Sequence, residues 1–434
     1  MYIKGKYNTA QIMTERIEAS ARDRVANMCN LDYLKDTNIV MMPDVHEGKG
    51  CAIGTTIKFD SKEKMKLSPS HIGVDIGCGM SMYPLGKLDE IDFVGLDKHI
   101  NEKISTYPRS KEKNKEFWDM IASSKSVPYL LKFFIGSALE NVLKKEVINT
   151  SRSNIEKVAT SIGTLGGGNH FIEIGKNDKD EYFLIVHTGS RFVGATIANH
   201  YQNIAIRNSN NVDIQPIIKE LKEQDKEQLI QPTVELLKSL ESDSKYNKED
   251  CYLKGEDLDN YIDDQSTATF FALVNRQLIT ATILDFFGIE WNHVKHKDSP
   301  HNYIQDDIYT IVRKGACSAE KGNDIIIPIN MRDGIIYGKG KGNPEWNYSA
   351  PHGAGRVLSR TKAKETLNIS DFKDQMKDVF STTITQDTLD EAPDAYKPME
   401  EILDAIGDSV DVIDIIKPVY NFKGIENKKW WENK

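Results

Sequence analysis

Histidine and cysteine residues provide the first indication of chemistry in this chain of 434 residues. Several of its ten histidines stand beside glycine or another small residue, where a predicted strand ends. Loops at strand ends commonly carry catalytic and binding residues. Thiolate and imidazole groups together favour a transition metal over magnesium. These positions are therefore candidate metal ligands.

Asp75 and Cys78 lie three residues apart in the run GVDIGCGM. A turn here would let both side chains bend onto one metal ion. A buried structural cysteine beside an Asx turn is the simpler interpretation of this motif on its own. The density of glycine argues against it, because glycine weakens a core strand unless the backbone must approach something closely.

The run GGGNHFIEI contributes Asn169, His170 and Glu173. Successive glycines expose backbone N–H groups that can form an anion-binding nest. Asn169 then offers a phosphate donor and His170 a metal ligand. Glycine runs of this kind are weak evidence alone, and a tight turn explains the segment equally well.

His187 closes the apolar strand YFLIVH and precedes TGSR, whereas His301 lies in DSPHNY. A histidine after five apolar residues is more often a satisfied core side chain than a ligand. The Thr-Gly-Ser-Arg continuation suits phosphate and favours a functional role for His187, while both interpretations stay open for His301. His293 and His296 are predicted to be ordinary surface histidines.

The segment SAPHGAGRVLSR places His352 between small residues, with Arg356 and Arg360 following. An accessible imidazole suits nucleophilic or acid–base catalysis, and the two arginines can neutralise phosphate. The alternative is a packing loop with two surface arginines. The motifs together offer one aspartate, one cysteine and three histidines, more than a single structural zinc needs. This surplus indicates two metals or a catalytic site, and two-metal sites commonly serve phosphoryl chemistry.

The elements that must position these residues alternate between helices and strands. Residue spacing predicts a helix over 10–28, a strand, loop and strand over 39–59, and an apolar strand interrupted by glycines over 71–80. A second helix is predicted over 129–148 and a buried strand over 182–190.

The second half of the chain contains a segment of different composition. Residues 215–265 are rich in Lys, Glu, Asp and Gln, which predicts a charged helical insertion or lid. The next predicted helix covers 266–288, capped by Ser266 and ended by Gly288. We therefore expect an α/β (mixed α+β) fold with a single large domain over 1–434 that includes this insertion.

Composition restricts the class of protein. The chain has 56 Lys+Arg and 65 Asp+Glu, a net charge of −9, which excludes a dominant basic surface but allows a local basic groove. With 39% hydrophobic residues, a folded core is expected rather than disorder. No long apolar run or secretory signal is visible, so no membrane association is expected. Five sparse cysteines favour a reducing compartment, and cytoplasmic localisation is predicted.

Taken in order, the motifs make the chain resemble the RtcB-type RNA-splicing ligases from about residue 40 to residue 424. The resemblance rests on MPDVHEGKGCAIGT, GVDIGCGM, GGGNHFIE, HTGSR, HNY, RKGA, HGAGRVLSR and EAPDAYK. It implies a single α/β domain of the family's own type. It also implies a GTP- and manganese-dependent ligase that joins an RNA 2′,3′-cyclic phosphate or 3′-phosphate end to a 5′-hydroxyl end, in RNA repair or tRNA splicing.

The resemblance also assigns roles to individual residues. His352 would take GMP from GTP and pass it to the RNA 3′-phosphate, from which the 5′-hydroxyl displaces it. One manganese ion would bind Cys78, His170 and His187, and the other Asp75, Cys78 and His301. A carboxylate at Glu173 would accept hydrogen bonds from the N1–H and amine of guanine. The implied nucleotide-binding residues are Asn169, Phe171, Glu173, Ser349, His352, Gly353, Ala354, Gly355, Tyr396 and Lys423.

Several points stay open at this level. The physiological RNA, the need for an activating protein partner and the oligomeric state are not specified. The segments IPINMRDG and CSAEKGN differ from the commonest family form. A metal-dependent phosphodiesterase and a non-catalytic RNA-binding factor are the alternative functions; His352 argues against the first and the metal ligands against the second. A local basic groove for RNA is predicted from Lys49, Arg313, Lys314, Lys339, Lys341, Arg356 and Arg360.

Overall fold

A computed structural model describes residues 1–209, 217–218, 221–222, 224, 226–240 and 246–424, and it has a mixed α/β fold. The strands of the described residues are Tyr2–Lys4 (β1), Thr9–Ile12 (β2), Thr37–His46 (β3), Ile53–Phe59 (β4), Gly79–Gly86 (β5), Phe171–Lys176 (β6), Tyr182–Thr188 (β7), Lys297–Pro300 (β8), Asn302–Asp306 (β9), Thr310–Lys314 (β10), Ala316–Ser318 (β11), Asp324–Asn330 (β12), Gly334–Gly340 (β13), Ser349–Pro351 (β14) and Val410–Lys423 (β15).

The α-helices of the described residues cover the faces and ends of the sheets. They are Ala19–Cys29 (α1), Phe93–Lys103 (α2), Lys111–Ser123 (α3), Tyr129–Lys144 (α4), Arg152–Ser161 (α5), Arg191–Ser209 (α6), Ile230–Leu240 (α7), Glu256–Leu284 (α8), Arg360–Thr366 (α9), Ile369–Gln375 (α10) and Met399–Ile406 (α11). None of the helices in the described ranges combines the length and apolar character needed to cross a membrane.

Within the described residues the strands form three sheets. One has the order β1-β2-β3-β4-β10-β9, a second pairs β11 with β14, and the third has the order β12-β13-β15-β6-β7-β5-β8. In the third sheet, Gly79 at the start of β5 pairs with Thr188 of β7 on one side and Pro300 of β8 on the other. This register brings the residues that flank three distant strands to one sheet edge.

Helix α8 is buried along most of its length and packs against β5 and β7. The guanidinium of Arg276, which is fully buried, donates hydrogen bonds to the carbonyl oxygens of Gly77 at 2.8 Å and Thr188 at 2.9 Å. It also forms a two-pronged ion pair with Asp298, at 2.6 and 2.8 Å. The paired carboxylate and carbonyls satisfy a charge that would otherwise be costly to bury. One side chain thus fixes the loop just before β5, the end of β7 and the start of β8.

Several predicted elements are confirmed. The strand, loop and strand over 39–59 are β3 and β4, the buried strand over 182–190 is β7, and the helix over 129–148 is α4, which ends at Lys144. Three other predictions are wrong, and the first concerns the start of the helix predicted over 10–28. Residues 9–12 are a strand rather than helix, because Ala10 and Ile12 point inwards with a period of two and pair with β1 and β3. The helix there begins only at Ala19.

The run over 71–80 is also a loop up to Cys78 rather than a strand, because Gly73 and Gly77 adopt φ values of +91° and +69°. These left-handed conformations interrupt any strand. The backbone N–H of Cys78 donates to the carbonyl of Asp75 at 3.2 Å, closing a turn. The predicted turn, rather than the predicted strand, is therefore what this segment forms.

The boundary between the charged segment and the following helix was misplaced. Residues 256–265 are the first turns of α8, which begins after Gly255 and not at Ser266. The Ser266 hydroxyl donates to the carbonyl of Ile262, four residues earlier in the same helix. The charge of Glu256, Asp257 and Asp259 favoured a solvated loop in the sequence. In the structure these acids occupy the first turn of α8, where negative charge stabilises the helix N-terminus. Residues 215–216, 219–220, 223, 225 and 241–245 of the predicted insertion lie outside the described residues, and its role as a lid stays a prediction.

Candidate metal and nucleotide site

Five side chains from separate loops and strands converge at the edge formed by β5, β6, β7 and β8. The Sγ atom of Cys78 lies 3.3 Å from Nε2 of His187 and 3.5 Å from Nε2 of His170. Nε2 of His187 is 3.4 Å from Nε2 of His301, and Nε2 of His170 is 3.0 Å from Oδ2 of Asp75. Donor atoms at these distances can share metal ions.

The five donors form two overlapping groups that share Cys78. One contains Cys78, His187 and His301, and the other contains Asp75, Cys78 and His170; within each group the ligand atoms lie within 4.8 Å of one another. The shared thiol agrees with the expected bridging position. The distribution of His170 and His301 between the groups differs from the distribution that the resemblance implies.

The imidazole rings are held with Nε2 towards the cluster. Nδ1 of His170 bonds the carbonyl of Leu165 at 2.9 Å, and Nδ1 of His187 bonds the carbonyl of Asn169 at 3.1 Å. Such outer hydrogen bonds fix the tautomer that ligates metal. Burial lowers the pKa of His187 and His301 well below the ordinary histidine value, so both rings are neutral and able to donate a lone pair.

Glycine is required where the turn of Asp75 meets the loop after β7. A Cβ atom at Gly189 would overlap the carboxylate of Asp75, and one at Gly194 would overlap the hydroxyl of Ser190. The HTGSR motif therefore contributes close backbone approach as well as its histidine. Arg191 in the same motif has a φ of +56°, an uncommon conformation for a residue with a side chain.

His352 lies next to this cluster and is held by a buried carboxylate. Its Nδ1 atom is 2.6 Å from Oδ2 of Asp44, and that oxygen also accepts from the backbone N–H groups of His352 at 3.2 Å and Gly353 at 3.3 Å. The ring centroid of His352 is 4.8 Å from that of His301. Because Nδ1–H donates to Asp44, Nε2 carries the lone pair, and this geometry is suited to a nucleophile.

A cleft of about 650 Å³ opens beside His352, a volume typical of small-molecule sites. We call it the nucleotide cavity. Of the ten nucleotide-binding residues predicted, those that line it are Asn169, Phe171, Glu173, His352, Gly353, Ala354, Gly355, Tyr396 and Lys423. Ser349 lies outside this lining: its hydroxyl is buried, accepts from Arg313 at 2.9 Å and donates to the carbonyl of Asn347.

Glu173 is buried in the wall of the nucleotide cavity with one carboxylate oxygen unused. Oε2 accepts from the amide of Asn421 at 2.8 Å, whereas Oε1 has no hydrogen-bond partner among the residues that the structure describes. Burial raises the pKa of Glu173 to about 8, although Asn421 and Lys423 act in the opposite direction. A buried acceptor without a partner is costly, so this oxygen is suited to a ligand that brings a donor.

Glu391 is a charged centre of the cavity that the sequence analysis did not identify as a site residue. Its carboxylate accepts from Lys423 at 2.7 Å, from the Tyr396 hydroxyl at 2.8 Å and from Arg360 at 2.7 Å. Burial opposes ionisation, but Lys423 and the arginines hold the pKa of Glu391 well below its ordinary value. The sequence signal that could have identified Glu391 is its place as the first residue of the motif EAPDAYK.

The arginines and lysines of the predicted RNA groove are largely engaged within the protein. Arg356 contacts Glu391 and the Tyr396 hydroxyl, and Arg360 contacts Asp390 and Glu391. Arg313 is fully buried, and the Lys314 ammonium donates to backbone carbonyls. The prediction that all of these side chains form an open groove is therefore wrong for Arg313 and Lys314, because buried polar partners hold both.

Two further sequence interpretations are resolved by the structure. His293 is exposed, as predicted, but His296 is half-buried beside Trp291, and within the described part of the chain neither of its buried ring nitrogens has a hydrogen-bond partner. The segment IPINMRDG, which differs from the commonest family form, lies against the nucleotide cavity. Its residues Pro328, Asn330 and Met331 form part of the cavity wall.

Comparison with known proteins identifies similar chains. The family model "tRNA-splicing ligase RtcB" matches residues 24–424. The RNA-splicing ligase RtcB of Escherichia coli K12 is 30% identical over 432 residues, which cover 94% of this chain and 95% of that protein. RNA-splicing ligase RtcB1 of another E. coli strain is 29% identical over 431 residues, with coverage of 94% and 95%. The tRNA-splicing ligase RtcB of Aeropyrum pernix is 25% identical over 466 residues, with coverage of 87% and 86%.

Proposed function

The chain belongs to the RtcB family of RNA- and tRNA-splicing ligases, and on this basis we propose that it is a GTP- and manganese-dependent RNA ligase. It joins RNA ends bearing a 2′,3′-cyclic phosphate or 3′-phosphate to ends bearing a 5′-hydroxyl, in RNA repair or tRNA splicing. The observation that carries the proposal is the position of His352. It lies between a cavity of nucleotide size and a cluster of five metal-ligating side chains.

The first step that this geometry supports is attack of Nε2 of His352 on the α-phosphorus of GTP. A nitrogen–phosphorus bond forms, the bond from the α-phosphorus to the β-phosphate oxygen breaks, and pyrophosphate leaves with the electron pair. The imidazole gains positive charge in this step. Asp44, buried and 2.6 Å from Nδ1, stabilises that charge while keeping the ring oriented.

The five ligand side chains fit a divalent transition metal, because they combine a thiol, three imidazoles and a carboxylate within bonding reach of shared positions. Asp75, Cys78, His170, His187 and His301 would hold two manganese ions, with Cys78 common to both. Bound there, the metal supplies Lewis-acid neutralisation of phosphate charge beside His352. Cys78 must lose its proton on binding, since burial raises the pKa of the metal-free thiol.

The nucleotide cavity supports a preference for guanine. Glu173 has the unpartnered oxygen Oε1 in a buried wall, and guanine offers N1–H and an exocyclic amine where adenine has no matching pair. Phe171, with the Lys423 ammonium 4.8 Å from its ring centroid, forms the neighbouring wall. The protein thus supplies an acceptor for the base and a flat apolar surface close to it.

The later steps transfer the bound GMP to RNA. A cyclic phosphate end is first opened by hydrolysis to a 3′-phosphate. An oxygen of that phosphate attacks the phosphorus of the histidine-bound GMP, and the nitrogen–phosphorus bond breaks to return the imidazole. The 5′-hydroxyl of the second strand then attacks the RNA 3′-phosphorus, and GMP leaves as the new phosphodiester forms. GTP and the two RNA ends are therefore the proposed partners.

Incubation with GTP labelled at the α-phosphate, followed by ligation of defined RNA ends, tests the proposal. A ligase of this kind forms an acid-labile, base-stable protein–GMP adduct and joins 3′-phosphate to 5′-hydroxyl ends only when GTP and manganese are added. A metal-dependent phosphodiesterase would open cyclic phosphates without the adduct. An RNA-binding factor would bind RNA and do neither, and either result would contradict the proposal.

A further inference from the structure

The Lys423 ammonium has two buried carboxylates near it in the wall of the nucleotide cavity, those of Glu173 and Glu391. It donates to Oε2 of Glu391 at 2.7 Å. Glu173 is as deeply buried as Glu391, yet its Oε1 has no hydrogen-bond partner within the described part of the chain. The choice of Lys423 between the two acids therefore determines whether Glu173 keeps an oxygen for a ligand.

We infer that Glu391 is a positioning residue for guanine recognition: it holds the Lys423 ammonium away from Glu173 and so keeps Oε1 of Glu173 available for the base. This assignment rests on the proposed function, because it presupposes that Glu173 binds guanine. It gives a specific task to a residue for which the family resemblance implies none.

Strand pairing places Lys423 within reach of Glu173. In the antiparallel pair of β15 and β6, Asn421 lies opposite Glu173 and Lys423 lies opposite Phe171. Side chains two residues apart in a strand share a face, so all four side chains lie on the same face of the sheet. Diagonal neighbours on one face are about 7–8 Å apart, a distance that long side chains span. Lys423 would therefore compete for the Glu173 carboxylate if it had no other partner.

Glu391 is the stronger partner for Lys423 because it is ionised and firmly held. Burial opposes its ionisation, but the surrounding cations hold the pKa of Glu391 well below its ordinary value. Burial instead raises the pKa of Glu173 to about 8, which leaves that acid protonated at neutral pH. An ammonium is attracted to the ionised carboxylate of the two. The donors that fix Glu391 are Lys423 and Tyr396 on Oε2, and Arg360 and Arg356 on Oε1.

Glu391→Gln tests the inference, because it removes the charge and keeps the size of the side chain. A buried ammonium without an ionised partner is costly, so Lys423 is expected to pair with Glu173 in this variant. Guanine must then break that pair to bind. Use of GTP relative to ATP should fall roughly tenfold or more, measured by competition between the two α-labelled nucleotides for labelling of the protein.

Asp390→Asn is the matched control. Asp390 precedes Glu391 in the same short 3-10 helix and is also buried. Its carboxylate pairs with Arg360 at 2.6 Å and with Lys364 at 3.1 Å, rather than with Lys423. The control thus removes an equal charge one residue away, and it should leave the preference for GTP unchanged.

The pH dependence of stability separates this role from a merely structural one. In the unmutated protein, Glu173 makes the free energy of unfolding fall as pH rises from 4.5 to about 8. A Glu173 that is paired with Lys423 is ionised in the folded and unfolded states alike, so Glu391→Gln should flatten the upper part of this window. Glu391 is itself ionised there in both states, so loss of a structural carboxylate would lower the curve without changing its slope.

Glu391→Asp keeps the negative charge in a side chain that is shorter by one methylene. Because the charge still attracts Lys423, this variant should retain most of the preference for GTP and the slope of the unmutated protein. Loss of both by the aspartate variant would show that the charge of Glu391 does not position Lys423.

Two further results would overturn the assignment. An unchanged preference for GTP in the Glu391→Gln protein, or a lost preference with an unchanged slope, would show that Glu391 does not act by holding Lys423 away from Glu173. The proposed function would survive either result. Equal use of ATP and GTP by the unmutated protein would instead contradict the guanine assignment itself, and the role of Glu391 with it.

Discussion

Oδ2 of Asp44 is 2.6 Å from Nδ1 of His352, and the Asp44 side chain is completely buried. The same oxygen accepts two backbone N–H groups of the loop that carries the histidine. A single carboxylate oxygen therefore fixes both the tautomer of the ring and the position of its loop. Gly355, with a φ of +76°, lets that loop pass close to the Asp44 backbone.

Asp44→Asn is expected to slow formation of the protein–GMP adduct by on the order of a hundredfold, because an amide neither holds the ring as firmly nor stabilises its positive charge. Single-turnover labelling with GTP measures this rate. Joining of an RNA strand that already carries GMP should be affected much less. An adduct rate within a factor of about two of the unmutated protein would show that Asp44 does not orient the nucleophile.

We predict that Lys397 helps to orient His352, because it binds the segment of β3 that carries Asp44. Its ammonium is buried and donates to the carbonyls of Pro43 at 3.2 Å and Val45 at 3.3 Å, the residues on either side of Asp44. Lys397→Met leaves these carbonyls without a donor, at about 1–3 kcal/mol each, and should slow adduct formation by about tenfold. A merely structural lysine would lower the unfolding free energy without moving the pH profile of adduct formation, and that profile decides between the roles.

Glu173 should make stability depend on pH in a defined window. Its folded pKa of about 8 exceeds the ordinary value of 4.5. The folded state therefore keeps a proton that the unfolded state has lost across this window, and the free energy of unfolding falls as pH rises through it. Denaturant unfolding at several pH values should show a weaker fall for Glu173→Gln. Equal slopes for the two proteins would contradict the raised pKa.

The same variant tests base selection. Glu173→Gln keeps the volume of the side chain, but an amide cannot lose a proton to become a pair of acceptors when guanine brings its two donors. Use of GTP should fall by roughly tenfold to a hundredfold, the effect of about 1–3 kcal/mol. Competition between GTP and ATP in the labelling assay measures the preference. Equal use of both nucleotides by the unmutated protein would contradict the guanine assignment.

Cys78 is the residue common to both ligand groups, so Cys78→Ala should weaken both metal sites together. Metal content after equilibration with manganese is expected to fall from two ions to less than one. Cys317→Ala is the control, because Cys317 is also buried and lies outside both groups. Two fully bound ions in the Cys78 variant would contradict the shared ligand.

The sequence was informative about ligand types and much less so about their arrangement. Asp75, His170, His187 and His301 stand in motifs whose composition indicates chemistry, but their meeting depends on β5 pairing with both β7 and β8. At the site, Gly79 pairs with Thr188, 109 residues later in the chain (188 − 79), and with Pro300, 221 residues later (300 − 79), and no local spacing specifies this pairing.

Two residues that hold the site together were missed for a different reason. Asp44 lies in the otherwise apolar strand β3, and Glu391 lies in a short 3-10 helix over Gln386–Glu391. Each was visible only as one acid inside a longer motif, because the partners that give it a role are distant in the chain. Asp44 meets His352, and Glu391 meets Lys423, only after folding.

His352 is the central residue of the proposed function, and its replacement by alanine gives the most direct test. The His352→Ala protein, incubated with α-labelled GTP and manganese, is predicted to bind metal but form no protein–GMP adduct. It should also fail to join 3′-phosphate ends, yet join an RNA strand whose 3′ end already carries GMP. Labelling of His352→Ala at the unmutated rate would contradict the account, because the nucleophile would then lie elsewhere.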